Sequence, residues 1–332
     1  MASMTAEMST RRRFAEVMRG GRPDRVPLFS EGMRADVLRQ WRRQGLPRRQ
    51  RLENIFLMDR RETFEPVLQP LPHIRRWPRT LAEIAVFERR LNAYDKRRLP
   101  RKWAQRVHDW RGRDHVLMMY VHEGFFLSLG VYDWRRFREV MDLILDQPAL
   151  VRRMMAVKGR FCAGLLERVL KDVDIDAAVF SEPIGGNENP LISPSMYVDL
   201  VLQSYEPLLA VLRRFNVKTV VFQTYANARI LMPLIIDCGF NCLWSCEAET
   251  GAMDYRRLRA QFGRDLKLIG GFDLDVLRRT RADIDAALET QVVPLLKQGG
   301  YIPLADGRIR RDIPFENYAY YRRRLAELAT AY

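Results

Sequence analysis

The stretch that decides the fold is NCLWSCEAETGAMDYRRLRAQFGRDLKLIGGFDLDVL, residues 241–277, together with QGGYIPLADGRIRRD, residues 298–312. Hydrophobic residues recur with the spacing of a strand in some segments and with the spacing of a helix in others. This pattern predicts strands separated by amphipathic helices such as Tyr255–Phe262. The predicted strands of this stretch are Cys242–Trp244, Leu266–Ile269 and Tyr301–Leu304. Strands that alternate with helices in this way are typical of a parallel sheet with crossover helices.

The same alternation extends towards the N-terminus. Five further strands are predicted, at Val26–Ser30, near Phe64–Leu68, and at His115–Val121, Ala177–Phe180 and Thr219–Phe222. Eight strands separated by helices predict a single (β/α)8 TIM barrel, and a basic helix over residues 10–19 adds to it at the N-terminus. Since no linker divides the chain, residues 1–332 are expected to form one domain.

Acidic residues follow several predicted strands. In a barrel the strand ends meet on one face, so these carboxylates would share a cavity in which burial and like charge raise a pKa. A carboxyl group with a raised pKa is a general acid near neutral pH, and the expected catalytic residues are Glu182, Glu247 and Asp306. The alternative is that such residues cap helices, as Asp273 would, and Glu31 and Glu123 also follow strands.

Two other polar groups are predicted at strand ends. Arg308 follows Asp306 in the last loop, where its guanidinium group would bind a substrate carboxylate unless the loop is merely solvated. His122 is the one histidine that ends a predicted strand, and it is expected to contact substrate. A zinc site made of His122, Cys246 and Glu247 is the alternative to buried structural cysteines.

Composition excludes several classes of protein. The formal net charge of +15 comes largely from scattered arginines without a nucleic-acid-binding motif, so nucleic acid is not an expected partner. No apolar run is long enough for a membrane span, and the first residues lack the apolar region of a signal peptide, so secretion is not expected. Four cysteines do not form a disulfide framework, so a cytoplasmic protein is expected, with a homodimer as an open alternative.

Several motifs resemble the uroporphyrinogen decarboxylase superfamily. They are RRRFAEVMRGGRPDRVPLF (11–29), PLISPSMY (190–197), GFNCLW (239–244), GAMDYRRLRAQFGRDLKLIGGFD (251–273), GGYIPLAD (299–306) and IPFENYAYY (313–321). The resemblance covers nearly the whole chain. It implies a TIM barrel with one of two chemistries: cofactor-free decarboxylation, or methyl transfer to or from a corrinoid protein or a zinc-activated thiol.

The departures from the family affect its functional residues. Zinc-binding members have His-x-Cys where this chain has Gln223-Thr224-Tyr225, so zinc is not expected, and Gln223, Tyr225 and Asn227 are expected to bind substrate. Many relatives have Asp-His where this chain has Asp306-Gly307. Of the arginine-rich loop of the decarboxylases, Arg34 alone has a counterpart here.

These observations favour a metal-independent lyase of the decarboxylase type that acts on a small anionic substrate without a cofactor. Two alternatives remain open: a zinc-free methyltransferase that works with a corrinoid partner protein, and a catalytically silent barrel that serves for binding.

Overall fold

The structure is a computed structural model that describes residues 7–246 and 251–332. The chain folds into two compact units. The first unit comprises Met1–Glu62, Asp114–Val116 and Cys242–Tyr332, and the second comprises Thr63–Arg113 and Leu117–Asn241. The prediction of a single domain stays a prediction, and each unit is described by itself.

Strands and helices alternate along the chain, as in an α/β fold. The described residues form seven strands: β1 Arg61–Phe64, β2 Val116–His122, β3 Ala177–Glu182, β4 Val220–Tyr225, β5 Cys242–Cys246, β6 Lys267–Phe272 and β7 Tyr301–Ala305.

The described α-helices are α1 Thr10–Arg19, α2 Ala35–Arg43, α3 Ile84–Arg89, α4 Trp103–Arg111, α5 Phe125–Ser128, α6 Trp134–Asp146, α7 Pro148–Leu170, α8 Pro194–Tyr197, α9 Gln203–Arg214, α10 Met232–Asp237, α11 Tyr255–Phe262, α12 Arg281–Ala287, α13 Val293–Gln298 and α14 Phe315–Ala331. None of them is long and apolar enough to cross a membrane.

Strands β5, β6 and β7 of the first unit are parallel neighbours in chain order. The register pairs Ser245 with Gly270 and Gly270 with Pro303. The carboxyl ends of the three strands therefore lie at one edge, where Ser245, Gly271 and Asp306 come close together.

Strands β2, β3 and β4 of the second unit are also parallel neighbours in chain order. Tyr120 pairs with Val179, which pairs with Val221. His122, Glu182 and Thr224 thus share the carboxyl edge of this group of strands.

Residues 26–30, predicted as the first strand, do not form one. Side chains satisfy their backbone instead: the Leu28 N–H donates to the Asp59 carboxylate at 2.8 Å, and the Phe29 carbonyl accepts from Arg322 at 2.8 Å. This prediction was wrong because an apolar run indicates burial, whereas a strand also needs a neighbouring strand. With seven strands in the described residues, the eight-stranded barrel is not confirmed.

Other predicted elements agree more closely with the structure. The helix over residues 10–19 is confirmed, and so is the helix over Tyr255–Phe262. The second strand was predicted too late in the chain, since β1 covers Arg61–Phe64.

Asp59 is the buried carboxylate that joins the N-terminal elements of the first unit. It accepts hydrogen bonds from Thr10 at 2.8 Å and Arg13 at 3.2 Å, and it forms an ion pair with Arg25. Burial opposes its ionisation, but the hydrogen bonds from Arg25 and from the Leu28 N–H hold the pKa of Asp59 below its ordinary value.

We expect Asp59→Asn to lower the free energy of unfolding by about 3–5 kcal/mol, because it leaves the largely buried Arg25 without its counter-charge and removes one of the carboxylates paired with Arg13. The depressed pKa means that Asp59 stabilises the protein above the carboxyl pKa of the unfolded chain, and that this contribution is lost as pH falls through its folded pKa. Urea unfolding at pH 7 and pH 3 measures both effects. Asp142→Asn, at an exposed aspartate, is the control, and equal stability of the two variants at pH 7 would contradict the assignment.

Candidate active site

A cavity of about 60 Å³ lies in the first unit at the carboxyl ends of β5, β6 and β7. It is lined by Ser245, Met253, Asp254, Tyr255, Arg256, Gly271, Asp273, Gln291 and Asp306. The volume accommodates a few heavy atoms, such as one functional group of a small molecule.

Tyr255 and Gly271 shape the wall of this cavity. The Tyr255 hydroxyl accepts a hydrogen bond from the Ser245 N–H at 2.8 Å and donates one to the Ile269 carbonyl at 2.7 Å, so it joins β5 to β6. Gly271 has a φ of +79°, and a Cβ there would lie 2.4 Å from the Tyr255 ring. Only glycine fits this position, because any other side chain would displace the ring.

Ser245 is the polar side chain of the wall that has no partner of its own. Its residue is 2% exposed, and its Oγ makes no hydrogen bond in the described part of the chain. A buried hydroxyl without a partner is unfavourable, so this group is suited to a hydrogen bond with a ligand in the cavity.

Asp306 was predicted as a catalytic residue, and it lines the same cavity. Its Oδ1 accepts a hydrogen bond from the Leu274 N–H at 3.1 Å. Burial raises the pKa of Asp306 to about 7, and the nearby negative charges of Asp273 and Asp275 act in the same direction. The carboxyl group can therefore hold or release a proton near neutral pH.

The charged neighbours of Asp306 are mostly paired with each other. Arg256 forms an ion pair with Asp254 at 3.0 Å, and Arg310 forms one with Asp275 at 3.2 Å. Asp273, for which the sequence suggested a capping role, does accept a hydrogen bond from the Asp275 N–H at 2.9 Å. The cavity thus contains more carboxyl groups than cations.

Arg34 and Arg308, predicted to bind substrate, belong to neighbouring segments of the first unit. Met33 and Ile309 form a parallel bridge, and the Ile309 N–H donates to the Gly32 carbonyl at 3.2 Å. Both arginines are exposed. Arg308 lies two residues after Asp306 in the chain.

Glu182, also predicted as catalytic, is fully buried in the second unit. Its carboxylate accepts hydrogen bonds from the Phe125 N–H at 2.9 Å and from the Tyr205 hydroxyl. Burial raises the pKa of Glu182 to about 7, although these hydrogen bonds lower it. Gly124, with a φ of +85°, allows the close approach, since a Cβ there would lie 2.8 Å from Glu182 Oε1.

His122 is buried beside Glu182's partner Tyr205, with ring centroids 4.8 Å apart. Its Nδ1 accepts a hydrogen bond from the Gly124 N–H at 3.0 Å, and its Nε2 makes none among the described residues. Burial and the positive charge of Lys158 hold the pKa of His122 well below its ordinary value. The imidazole is therefore neutral, with its proton on Nε2.

The three polar residues predicted to bind substrate around β4 make intramolecular contacts. Gln223 accepts a hydrogen bond from the Tyr120 hydroxyl at 2.8 Å. The Asn227 amide donates to the Glu188 carbonyl at 2.5 Å and holds the loop that follows β3. Tyr225 is half-buried at the end of the strand.

The described donor set does not fit zinc. Across residues 7–246 and 251–332, no three His, Cys, Asp or Glu side chains are grouped so that they can hold a metal ion. Gln223 and Tyr225 offer amide and phenol oxygens, which bind zinc poorly. Cys242 and Cys246 are buried, and Glu247, predicted as catalytic, lies outside the described residues.

Sequence reasoning had not assigned Tyr255 or Gln291 to a site. One signal was present in the sequence, since paired glycines at the end of a predicted strand, Gly270-Gly271, indicate a close approach. The unpartnered hydroxyl of Ser245 depends on packing and had no such signal.

No protein-family model matches the chain, and no curated protein shows significant sequence similarity to it. Among solved structures, the fold is similar to that of a methyltransferase from Methanosarcina mazei. The similarity covers 96% of this chain and 100% of the other, with a TM-score of 0.58 and 15% sequence identity. At this identity the likeness concerns the fold.

The raised pKa of Asp306 predicts a measurable dependence of stability on pH. A carboxyl group whose pKa rises on folding stabilises the protein below its unfolded pKa, and this contribution is lost as pH rises through about 7. We therefore expect Asp306→Asn to gain stability relative to wild type between pH 5 and pH 8, by up to about 1.4 kcal/mol for each unit of pKa shift.

Urea unfolding of both proteins across this pH range measures the difference. Glu182 titrates in the same range, but it is present in both proteins and cancels in the comparison. A constant difference between the two proteins from pH 5 to pH 8 would show that Asp306 ionises with an ordinary pKa.

Proposed function

We propose that the chain is a methyltransferase that removes a methyl group from a heteroatom of a small anionic molecule, with Asp306 as the general acid. The observation that carries the proposal is the similarity in fold, over the full length of both chains, to a methyltransferase. The cavity at the strand ends supports it, because a carboxyl group with a pKa of about 7 is available there.

Asp306 has a defined role in this reaction. As the acceptor's electron pair forms a bond to the methyl carbon, the bond from that carbon to the heteroatom breaks, and its electrons remain on the heteroatom. The proton of Asp306 neutralises this leaving group. A positioned acid of this kind is effective when its pKa lies near the working pH.

Other residues of the first unit bind the substrate in this proposal. The cavity of about 60 Å³ receives only the methylated end, and the free Ser245 hydroxyl makes a hydrogen bond to it. The exposed Arg34 and Arg308 hold a carboxylate of the same molecule. A guanidinium group matches a carboxylate in shape as well as charge.

The methyl acceptor is a strong nucleophile, and the resemblance implies a corrinoid carried by a partner protein. When bound, a reduced corrinoid supplies a nucleophilic cobalt centre. The cavity of about 60 Å³ is too small to enclose a corrin ring, so in this proposal the corrinoid stays on its partner protein, outside the cavity. Zinc has no part in the proposed mechanism, because the donor set does not fit it.

A lyase of the decarboxylase type is the second candidate. The raised pKa of Asp306 supports it, since a protonated Asp306 can also protonate a carbanion left by loss of carbon dioxide. The structural comparison supports methyl transfer and gives no support to decarboxylation.

The test uses free cob(I)alamin as acceptor and a panel of small O-, N- and S-methylated carboxylic acids as donors. We expect enzyme-dependent formation of methylcobalamin, followed by its absorption spectrum, with at least one donor. Asp306→Asn should lower kcat by about a hundred- to ten-thousandfold. Arg308→Ala should mainly raise KM, because its contact is equal in ground and transition states.

Asp312→Asn, at an exposed aspartate of the same loop, is the matched control and should keep the wild-type rate. If no donor loses its methyl group while carboxylated donors release carbon dioxide, the lyase reading is correct. Full activity of Asp306→Asn would remove Asp306 from either mechanism.

A further inference from the structure

A larger cavity, of about 480 Å³, lies in the second unit between residues 73–79 and residues 130–139. Its charged lining residues are five arginines against two carboxylates: Arg75, Arg76, Arg79, Arg135, Arg136, Asp133 and Glu139. Neither Glu182 nor any residue of the Asp306 cavity lines it. The volume falls within the range of about 300–1,000 Å³ that is usual for small-molecule sites.

One arginine of the wall is held rigidly. Arg136 is buried, and its guanidinium group donates to the Leu129 carbonyl at 3.0 and 3.1 Å. The same group lies 5.3 Å from the ring centre of Trp77. A guanidinium that is fixed in this way loses little entropy when an anion binds to it.

The chain itself places a carboxylate among these arginines. Glu139 lies 3.1 Å from Arg136 and 3.6 Å from Arg79, so arginines from the two segments converge on one anionic group. This contact shows that the wall accommodates oxyanions. It neutralises only part of the positive charge.

Two arginines of the wall remain without an ionic partner. Arg75 and Arg135 are exposed, and the guanidinium group of neither residue makes a hydrogen bond or ion pair within the described residues. The second carboxylate, Asp133, already accepts a hydrogen bond from the Arg136 N–H at 2.8 Å as the cap of α6. The lining of this cavity therefore carries an excess of positive charge with which no carboxylate of residues 7–246 and 251–332 pairs.

Tyr132 adds a neutral donor to the same wall. Tyr132 is 53% exposed, and the ordinary pKa of a phenol hydroxyl is about 10. Its hydroxyl group thus keeps its proton at neutral pH and can donate a hydrogen bond to an oxyanion.

We propose that this cavity binds a small molecule with at least two negatively charged oxyanion groups, such as a diphosphate or a polycarboxylate. Multiple charges are required because a single anion would leave the arginine excess unbalanced. Guanidinium groups bind phosphate and carboxylate alike through paired hydrogen bonds. The experiment below distinguishes a phosphate ligand from a carboxylate ligand.

Nucleic acid fits the geometry less well. A polynucleotide is bound by a stripe of cations that follows its backbone. Here the unpaired arginines line a concave cavity, and the other arginine runs of the chain are scattered along the sequence.

The test is calorimetric titration of the purified protein with inorganic pyrophosphate and, separately, with citrate at an ionic strength of about 0.15 M. We expect saturable binding of at least one of them, and the tighter ligand identifies the phosphate or the carboxylate source. The double variant Arg75→Ala/Arg135→Ala should bind about tenfold more weakly or worse, a loss of about 1.4 kcal/mol. Glu139→Gln should bind more tightly, because it frees Arg79.

The matched control is Arg101→Ala/Arg111→Ala, which removes the same charge at two exposed arginines outside the cavity. It should change the affinity by less than about twofold, since the protein's net charge alone gives only a screened attraction. The four substituted arginines are exposed and Glu139 is partly exposed, and thermal melts confirm that each variant folds.

Three results would overturn the proposal. The first is that neither pyrophosphate nor citrate binds wild type at millimolar concentration. The second is that both double variants weaken binding equally, which would make the effect one of net charge. The third is that a single-stranded oligonucleotide binds more tightly than either ligand and is lost in the same cavity variant.

Discussion

The buried ion pair between Glu31 and Arg322 is the interaction on which the first unit depends. The Glu31 carboxylate also accepts hydrogen bonds from Tyr318 at 3.0 Å and Tyr321 at 3.2 Å, while Arg322 donates to the Phe29 carbonyl at 2.8 Å. Removing either charge would leave the other buried without compensation, at a cost of about 3–5 kcal/mol. The pair ties α14 to the segment before α2, and this segment then bridges to Ile309 beside Arg308. The proposed substrate-binding arginines are thus placed by contacts between side chains and not by the pairing of strands.

Contacts of this kind join residues that are far apart in the sequence, and they explain which elements the sequence predicted and which it did not. Local hydrophobic period identified α1 and α11, because this signal lies within the elements themselves. Residues 26–30 have the apolar pattern of a strand, yet their carbonyl and amide groups are satisfied by Arg322 and Asp59. Those partners are distant in sequence, so no local pattern reveals that side chains have replaced a neighbouring strand.

The prediction of candidate site residues was limited in a similar way. Strand-end position selected both Asp306 and Glu182, and burial raises the pKa of each to about 7. Position in the sequence does not tell which neighbours a strand-end side chain meets. Asp306 lines a cavity, whereas the carboxylate of Glu182 is occupied by the N-terminus of α5 and by Tyr205 of α9. A raised pKa therefore accompanies a carboxyl group beside a cavity in one case and a carboxyl group held by internal hydrogen bonds in the other. Only the surrounding contacts distinguish the two.

The arrangement of ion pairs around Asp306 bears directly on the proposed chemistry. An unpaired arginine beside the carboxyl group would stabilise its charged form and lower its pKa, which would leave no proton to donate at neutral pH. Arg310 acts in this direction, but its ion pair with Asp275 places a negative charge near Asp306 as well, and Asp275 and Asp273 both raise the pKa. Arg256 is likewise paired, with Asp254. Although the chain carries a net charge of +15, Arg256 and Arg310 are each paired with a nearby aspartate, so the carboxyl group of Asp306 keeps the raised pKa that the proposed general acid needs.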